Sequence, residues 1–212
     1  MLDPKCLQVY LVTDGLSLKG RPITEVVLQA VQGGAGCVQL REKTLDTRDF
    51  CARAMALMQV LEPFKVPLVI NDRIDVALAC GAHGVHLGQS DMPPEVARRL
   101  LPADVFIGWS VETMEQVLRS ASLPVDYLGV SPIYETPTKT DTQTPWGLDG
   151  LGRVRAATTL PLVAIGGIHT GNAAEVLAAG ADGLAVVSAI CSAPDPRQAA
   201  AHMKANFESS MR

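Results

Sequence analysis

The segment CVQLREK, residues 37–43, begins as an apolar strand and then sets an amide and two cations at alternate positions, Gln39, Arg41 and Lys43. Side chains alternate across a strand, so these three share one face, while Val38, Leu40 and Glu42 share the other. A buried cation without a partner is costly, so the polar face meets either water or an anion. Other apolar runs end in the same way. INDR closes on Asn71 and Asp72, GVHLGQSD on Asp91, GWS on Ser110, and the sixth run feeds ETPTKTD with Lys139. Two carboxylates near phosphate oxygens suit Mg2+, which takes few protein ligands and keeps water and phosphate in its shell. AIGGI offers backbone amides at Gly166 and Gly167, and AVVSAI offers Ser188 with the amides that start the last helix. Two anion sites in one mouth imply two phosphorylated substrates, or one long one.

Each residue also has a plain structural reading. Asp72, Asp91 and Ser110 could cap the helices that follow them, and Gly166-Gly167 could be only a tight turn. What favours chemistry is that all of them stand at the same end of successive strands, with cations and carboxylates mixed.

The elements that would position them alternate along the chain. Strand-like runs fall at residues 8–13, 37–41, 67–71, 84–88, 105–109, 127–131, 162–165 and 183–187, with helical-period segments between and a last amphipathic helix at about 196–207. Eight strands and eight helices in strict alternation predict an α/β fold, one (β/α)8 TIM barrel over residues 1–212. An open doubly wound sheet is the competitor, but no Gly-x-Gly-x-x-Gly follows the first strand. Function in such barrels sits at the C-terminal ends of the strands. The long polar loop YETPTKTDTQTPWGLDGL follows the sixth of them.

The bulk numbers exclude several classes. A net charge of −4 and the lack of a basic stripe argue against a nucleic-acid surface, and 4% aromatic residues leave no stacking platform. No run of about 18 apolar residues exists to span a membrane, and the N-terminus does not read as a signal peptide. Five scattered cysteines without C-x-x-C spacing read as reduced thiols of a cytoplasmic protein. No H-E-x-x-H or Cys/His spacing suggests zinc. His86 in its strand reads as a packed, hydrogen-bonded residue, and His169 lies at the mouth. The sequence is compatible with a homo-oligomer and does not set the number of copies.

VQLREK (38–43), INDR (70–73), GVHLGQSD (84–91), GWS (108–110), TPTKTD (136–141), WGLDGL (146–151), AIGGI (164–168) and AVVSAI (185–190) occur in the order expected of the thiamine phosphate synthase family. The chain resembles that family from about residue 10 to residue 190. The resemblance implies an Mg2+-dependent transferase that joins 4-amino-2-methyl-5-(diphosphooxymethyl)pyrimidine to 4-methyl-5-(2-phosphooxyethyl)thiazole, giving thiamine phosphate and diphosphate. It implies that Gln39, Leu40, Arg41, Glu42, Lys43 and Asn71 hold the pyrimidine diphosphate, with Ser110 and Lys139 on its diphosphate side. It further implies Asp72 and Asp91 as Mg2+ ligands, and Thr136, Pro137, Thr138, Gly167, Val187 and Ser188 around the thiazole phosphate.

The family's chemistry is implied to be dissociative: diphosphate leaves first, and the thiazole nitrogen captures a resonance-stabilised pyrimidine-methyl cation. Arg41, Lys43, Ser110 and Lys139 would be the catalytic groups that neutralise the departing charge. Two departures stand out: Glu112 where many members carry His, and Ser131 where Gly is usual. Two rivals remain. A thiazole tautomerase of the same fold would need a His base and less of the diphosphate apparatus. A non-catalytic barrel would bind thiamine phosphate and act through a partner.

Overall fold

The computed structural model describes residues 2–135 and 144–210. Its strands are short and largely buried on both faces: β1 (Val9–Val12), β2 (Cys37–Leu40), β3 (Leu68–Asn71), β4 (Gly84–Leu87), β5 (Phe106–Val111), β6 (Tyr127–Val130), β7 (Leu162–Ile165) and β8 (Gly183–Val186). A strand reads this way when helices cover one face and a barrel interior the other. Each strand pairs parallel with the next, and β8 pairs back onto β1, so the sheet closes. Closure excludes the open doubly wound sheet.

The helices among the described residues are α1 (Ile23–Gln32), α2 (Thr47–Leu61), α3 (Ile74–Cys80), α4 (Pro94–Leu100), α5 (Met114–Arg119), α6 (Gly147–Ala157), α7 (Ala173–Ala178), α8 (Ser188–Cys191) and α9 (Pro196–Ser210). One expectation needs correcting here. Ser188 opens the separate short helix α8, whereas the last barrel helix begins at Pro196. The apolar faces of the long helices bury Val26, Val27, Phe50, Leu57 and Met203 against the outward residues of the strands, Leu11, Val38, Leu40 and Ile70 among them.

A second, smaller cluster fills the inside: Leu7, Tyr10, Val12, Cys37, Val69, Phe106, Tyr127, Val163 and Ala185. Small residues on neighbouring strands make room for the large ones. A Cβ at Gly84 would stand 2.4 Å from the Phe106 ring, one at Gly108 2.1 Å from Tyr127, and one at Gly129 2.9 Å from His86. Glycine at these three inward positions lets three rings fit inside the barrel. The 3-10 turn Pro4–Leu7 lies at the lower end, with Leu7 packed into the inner cluster. Above the rings the interior opens.

Candidate active site

That opening is a bowl of ≈ 600 Å³ at the C-terminal ends of the strands. Gln39, Arg41, Lys43, Asn71, Asp72, Asp91, Ser110, Gly167, Val187 and Ser188 all line it. The alternation of β2 therefore continues past its last paired residue, and the polar face of residues 37–43 turns inward. Arg41 keeps this direction because its amide donates to Thr13 Oγ1 at 3.2 Å, and Thr13 is fully buried.

Leu40 and Glu42 are a correction. Leu40 packs in the outer cluster beneath the helices, and Glu42 Oε1 takes a 2.5 Å bond from Arg53 on α2. Neither lines the bowl, because odd and even positions of this segment face opposite sides. Thr136, Pro137, Thr138 and Lys139 lie outside the described residues.

The capping alternatives fail one by one. The N-cap position is Arg73 for α3, Pro93 for α4, and Thr113 for α5, where it forms a capping box with Gln116. Asp72 instead sits in left-handed backbone with φ 64, and its Oδ2 accepts a 2.5 Å bond from Lys43 Nζ. Left-handed backbone is uncommon for a residue other than Gly, and here it accompanies a carboxylate pointed at the bowl. Asp91 Oδ2 accepts from the Gly88 amide at 2.6 Å. Burial pushes the Asp91 carboxyl above its ordinary range, and neighbouring Asp72 raises it further. Two neighbouring carboxylates favour a cation beside them, and in this structure the Lys43 ammonium on Asp72 is one.

The same donor set fits Mg2+, which binds through one or two carboxylates and completes its shell with water and phosphate oxygens. Among the described residues no group of three or more His, Cys, Asp or Glu could hold a metal by itself. A phosphorylated ligand would complete such a shell.

Anion-binding groups surround the carboxylates. Arg41 Nη1 is 3.5 Å from Asp14 Oδ1, and Asp14 Oδ2 is held by the amide and hydroxyl of Ser17. The Asn71 Nδ2 group is buried and has no hydrogen-bond partner among the described residues. An orphaned donor at the wall of a bowl is a place for a ligand oxygen. Across the mouth, Gly166 and Gly167 have φ 106 and 66, and Asn172 Nδ2 donates to the Gly167 carbonyl at 3.0 Å. The turn reading is thus correct as far as it goes. The turn is also part of the bowl wall, beside Val187 and Ser188.

Several bowl residues carried little sequence signal. Tyr10 and Tyr127 form the floor with His86, whose Nδ1 is 2.8 Å from Tyr127 OH and whose Nε2 is 2.8 Å from Ser110 Oγ. Asp14, the partner of Arg41, and Gln89, which donates to the Ser110 carbonyl at 2.5 Å, stand near the rim. Strand alternation marks Tyr10 and Tyr127 as inward candidates. The departure Glu112 lines the bowl too, and its amide donates to Gln116 Oε1 at 2.6 Å. Ser131 is buried on the inner side after β6. His169 is at the mouth, its ring Nδ1 accepting from the Gly171 amide.

A closed parallel barrel whose C-terminal rim gathers two cations, two carboxylates and a double-glycine turn defines a phosphate-handling barrel enzyme. Comparison with known proteins narrows the class. The family model described as thiamine monophosphate synthase matches residues 9–190. A thiamine-phosphate synthase of Albidiferax ferrireducens is 70% identical over 200 residues, covering 94% of this chain and 91% of that protein. One from Vibrio campbellii is 50% identical over 92% of this chain and 96% of its own length. The solved thiamine phosphate pyrophosphorylase of Pyrococcus furiosus superposes with a TM-score of 0.90 at 36% identity, covering 99% of both chains. The chain belongs to the thiamine monophosphate synthase family, and its activity is that family's transferase step in thiamine biosynthesis.

Proposed function

We propose that the bowl couples the pyrimidine diphosphate to the thiazole phosphate by letting diphosphate leave first. The observation that carries this reading is the Lys43–Asp72 contact with Asp91 alongside, in one bowl with Arg41, Asn71 and Ser110. Arg41 and Lys43 are the counter-charges for the diphosphate, and the Asn71 amide and Ser110 hydroxyl donate to its oxygens. Asp72 and Asp91 would hold Mg2+, which when bound would supply Lewis-acid neutralisation of the leaving group. Lys43 then exchanges its carboxylate partner for a diphosphate oxygen, a change its flexible stem permits.

Charge-neutralising groups fixed where the leaving group gathers negative charge lower the barrier to breaking the carbon–oxygen bond. Below them, Val12, Val163, Ile165 and Ala185 line an apolar lower wall that keeps water from the pyrimidine-methyl cation. Gly167, Val187 and Ser188 hold the thiazole phosphate across the bowl, setting the thiazole nitrogen beside that carbon. No general base is needed, since this nitrogen already carries a lone pair. Lys139 and the 136–138 segment join the same reading from the family resemblance. The enzyme is proposed to work in the cytoplasm on these two small molecules.

The test is a coupling assay followed by phosphorus NMR with both substrates and Mg2+. Diphosphate and thiamine phosphate are expected in equal amounts, and both are expected to cease when the metal is chelated. Tight product binding without diphosphate release would overturn the reading in favour of a binding module. Thiazole isomerisation without coupling would favour the tautomerase.

A further inference from the structure

Along the floor of the bowl runs a line of hydrogen bonds, of which the chemistry above uses only the last member, Ser110. Gln39 Nε2 donates to Tyr10 OH at 3.0 Å, and Tyr10 OH lies 2.8 Å from Tyr127 OH. From there the line continues through His86 to Ser110, each step 2.8 Å. It crosses the barrel interior through β2, β1, β6, β4 and β5. Tyr10 and Tyr127 are 1% and 0% exposed, so bulk water does not reshuffle their protons. Burial also holds both phenols well above their ordinary pKa, and they stay protonated.

Counting protons gives the line a direction. A phenol has one proton to donate. Tyr10 accepts from Gln39, so its own proton is available for Tyr127. Its other polar neighbour is the Cys37 thiol, and sulfur is the weaker acceptor. The Tyr127 proton then goes to His86 Nδ1, which leaves the ring proton on Nε2, facing Ser110 Oγ. Ser110 accepts there, and its single proton is left for the bowl. Run the other way, the line would take the Ser110 proton and present an oxygen lone pair to any anion above it.

We propose that this line fixes the His86 tautomer and thereby aims the Ser110 hydroxyl proton at the diphosphate, making Tyr10, Tyr127 and His86 positioning residues for that donor. The inference rests on the reading that Ser110 faces the diphosphate.

Two measurements on the full chain test it. Long-range proton–nitrogen NMR of the labelled enzyme is expected to show His86 protonated on Nε2. Gln39→Glu replaces the first donor by an acceptor without removing a ring, so it is expected to move the proton to Nδ1. The second measurement is a double-mutant cycle on kcat. Ser110→Ala is expected to cost about 10²-fold, as for one charge-stabilising donor, and Tyr127→Phe on the order of tenfold. The double variant is expected to be no slower than Ser110→Ala alone. Multiplicative losses, or an Nδ1 proton in the unaltered enzyme, would overturn the proposal alone. An unchanged kcat in Ser110→Ala would overturn the diphosphate reading and the proposal together.

Discussion

Gly108→Ala adds one methyl group where the barrel has no room for it. Gly108 on β5 is in register with Tyr127 on β6, and a Cβ there would stand 2.1 Å from Tyr127 Cζ and 2.3 Å from its hydroxyl. Ordinary contact begins at 3.4 Å, so the ring must retreat by about 1.3 Å. It is held on the other sides by Tyr10 and Phe106, edge to face at centroid separations of 6.0 and 6.3 Å. A retreat of that size pulls at least one of the 2.8 Å bonds, to Tyr10 or to His86, beyond hydrogen-bonding range.

Overpacking costs about 1–3 kcal/mol, and a buried polar group losing its partner costs about another 1–3 kcal/mol. Together they amount to about 2–6 kcal/mol, a large share of a typical domain's stability. For a chain of this size the melting temperature should fall by roughly 5–20 °C. Differential scanning calorimetry and urea titration would measure the loss, and kcat should fall with it. Gly152→Ala is the control. That glycine lies in α6 with its nearest neighbour, the Ala179 carbonyl, at 3.9 Å, so the change should stabilise by about 0.5–1 kcal/mol. A Gly108→Ala enzyme with an unchanged melting temperature and kcat within twofold would refute the packing of the floor described above.

Arg41→Ala should lower kcat/KM by an amount equivalent to about 2–4 kcal/mol of transition-state stabilisation, whereas kinetics like those of the parent would remove Arg41 from the anion site. Asp72→Asn and Asp91→Asn should each depress turnover and weaken the response to added Mg2+; an unaltered metal titration in either would deny that residue a ligand role. Asp91→Asn carries an opposite expectation for stability without metal. A carboxyl whose folded-state pKa is raised costs stability above the unfolded value, so the metal-free parent should lose stability as pH rises from about 3.9 through the raised value. The Asn variant should lose that slope and melt higher in chelator at neutral pH, and equal melting curves would refute the burial argument. Gly167→Ala forces a side chain into φ 66 with its Cβ 2.7 Å from Tyr134 Cβ, so the KM for the thiazole phosphate should rise and the melting temperature fall, both measurable in one preparation.

The architecture was legible because it is written locally. Alternation of apolar runs with helical-period segments depends on neighbours within a few residues, and the eight observed strands fall inside or within two residues of the expected runs. The inward set on β2 followed from period two alone: Gln39, Arg41 and Lys43 enter the bowl, while Glu42 pairs with Arg53 outside. The separate helix α8 was hidden because one turn of four residues has no periodicity to detect.

By itself, the sequence determined the strand count, the polar strand ends and the family resemblance, since these depend on residue order. Tertiary structure decided which ends meet. Lys43 reaches Asp72 across 29 positions, and the Tyr10–Tyr127 bond spans 117. Whether Asp72, Asp91 and Ser110 cap helices or face the bowl turned on a few backbone angles and on strand register. Contacts of that kind exist only once the eighth strand has closed on the first, because closure is what brings inward side chains from distant segments to one axis.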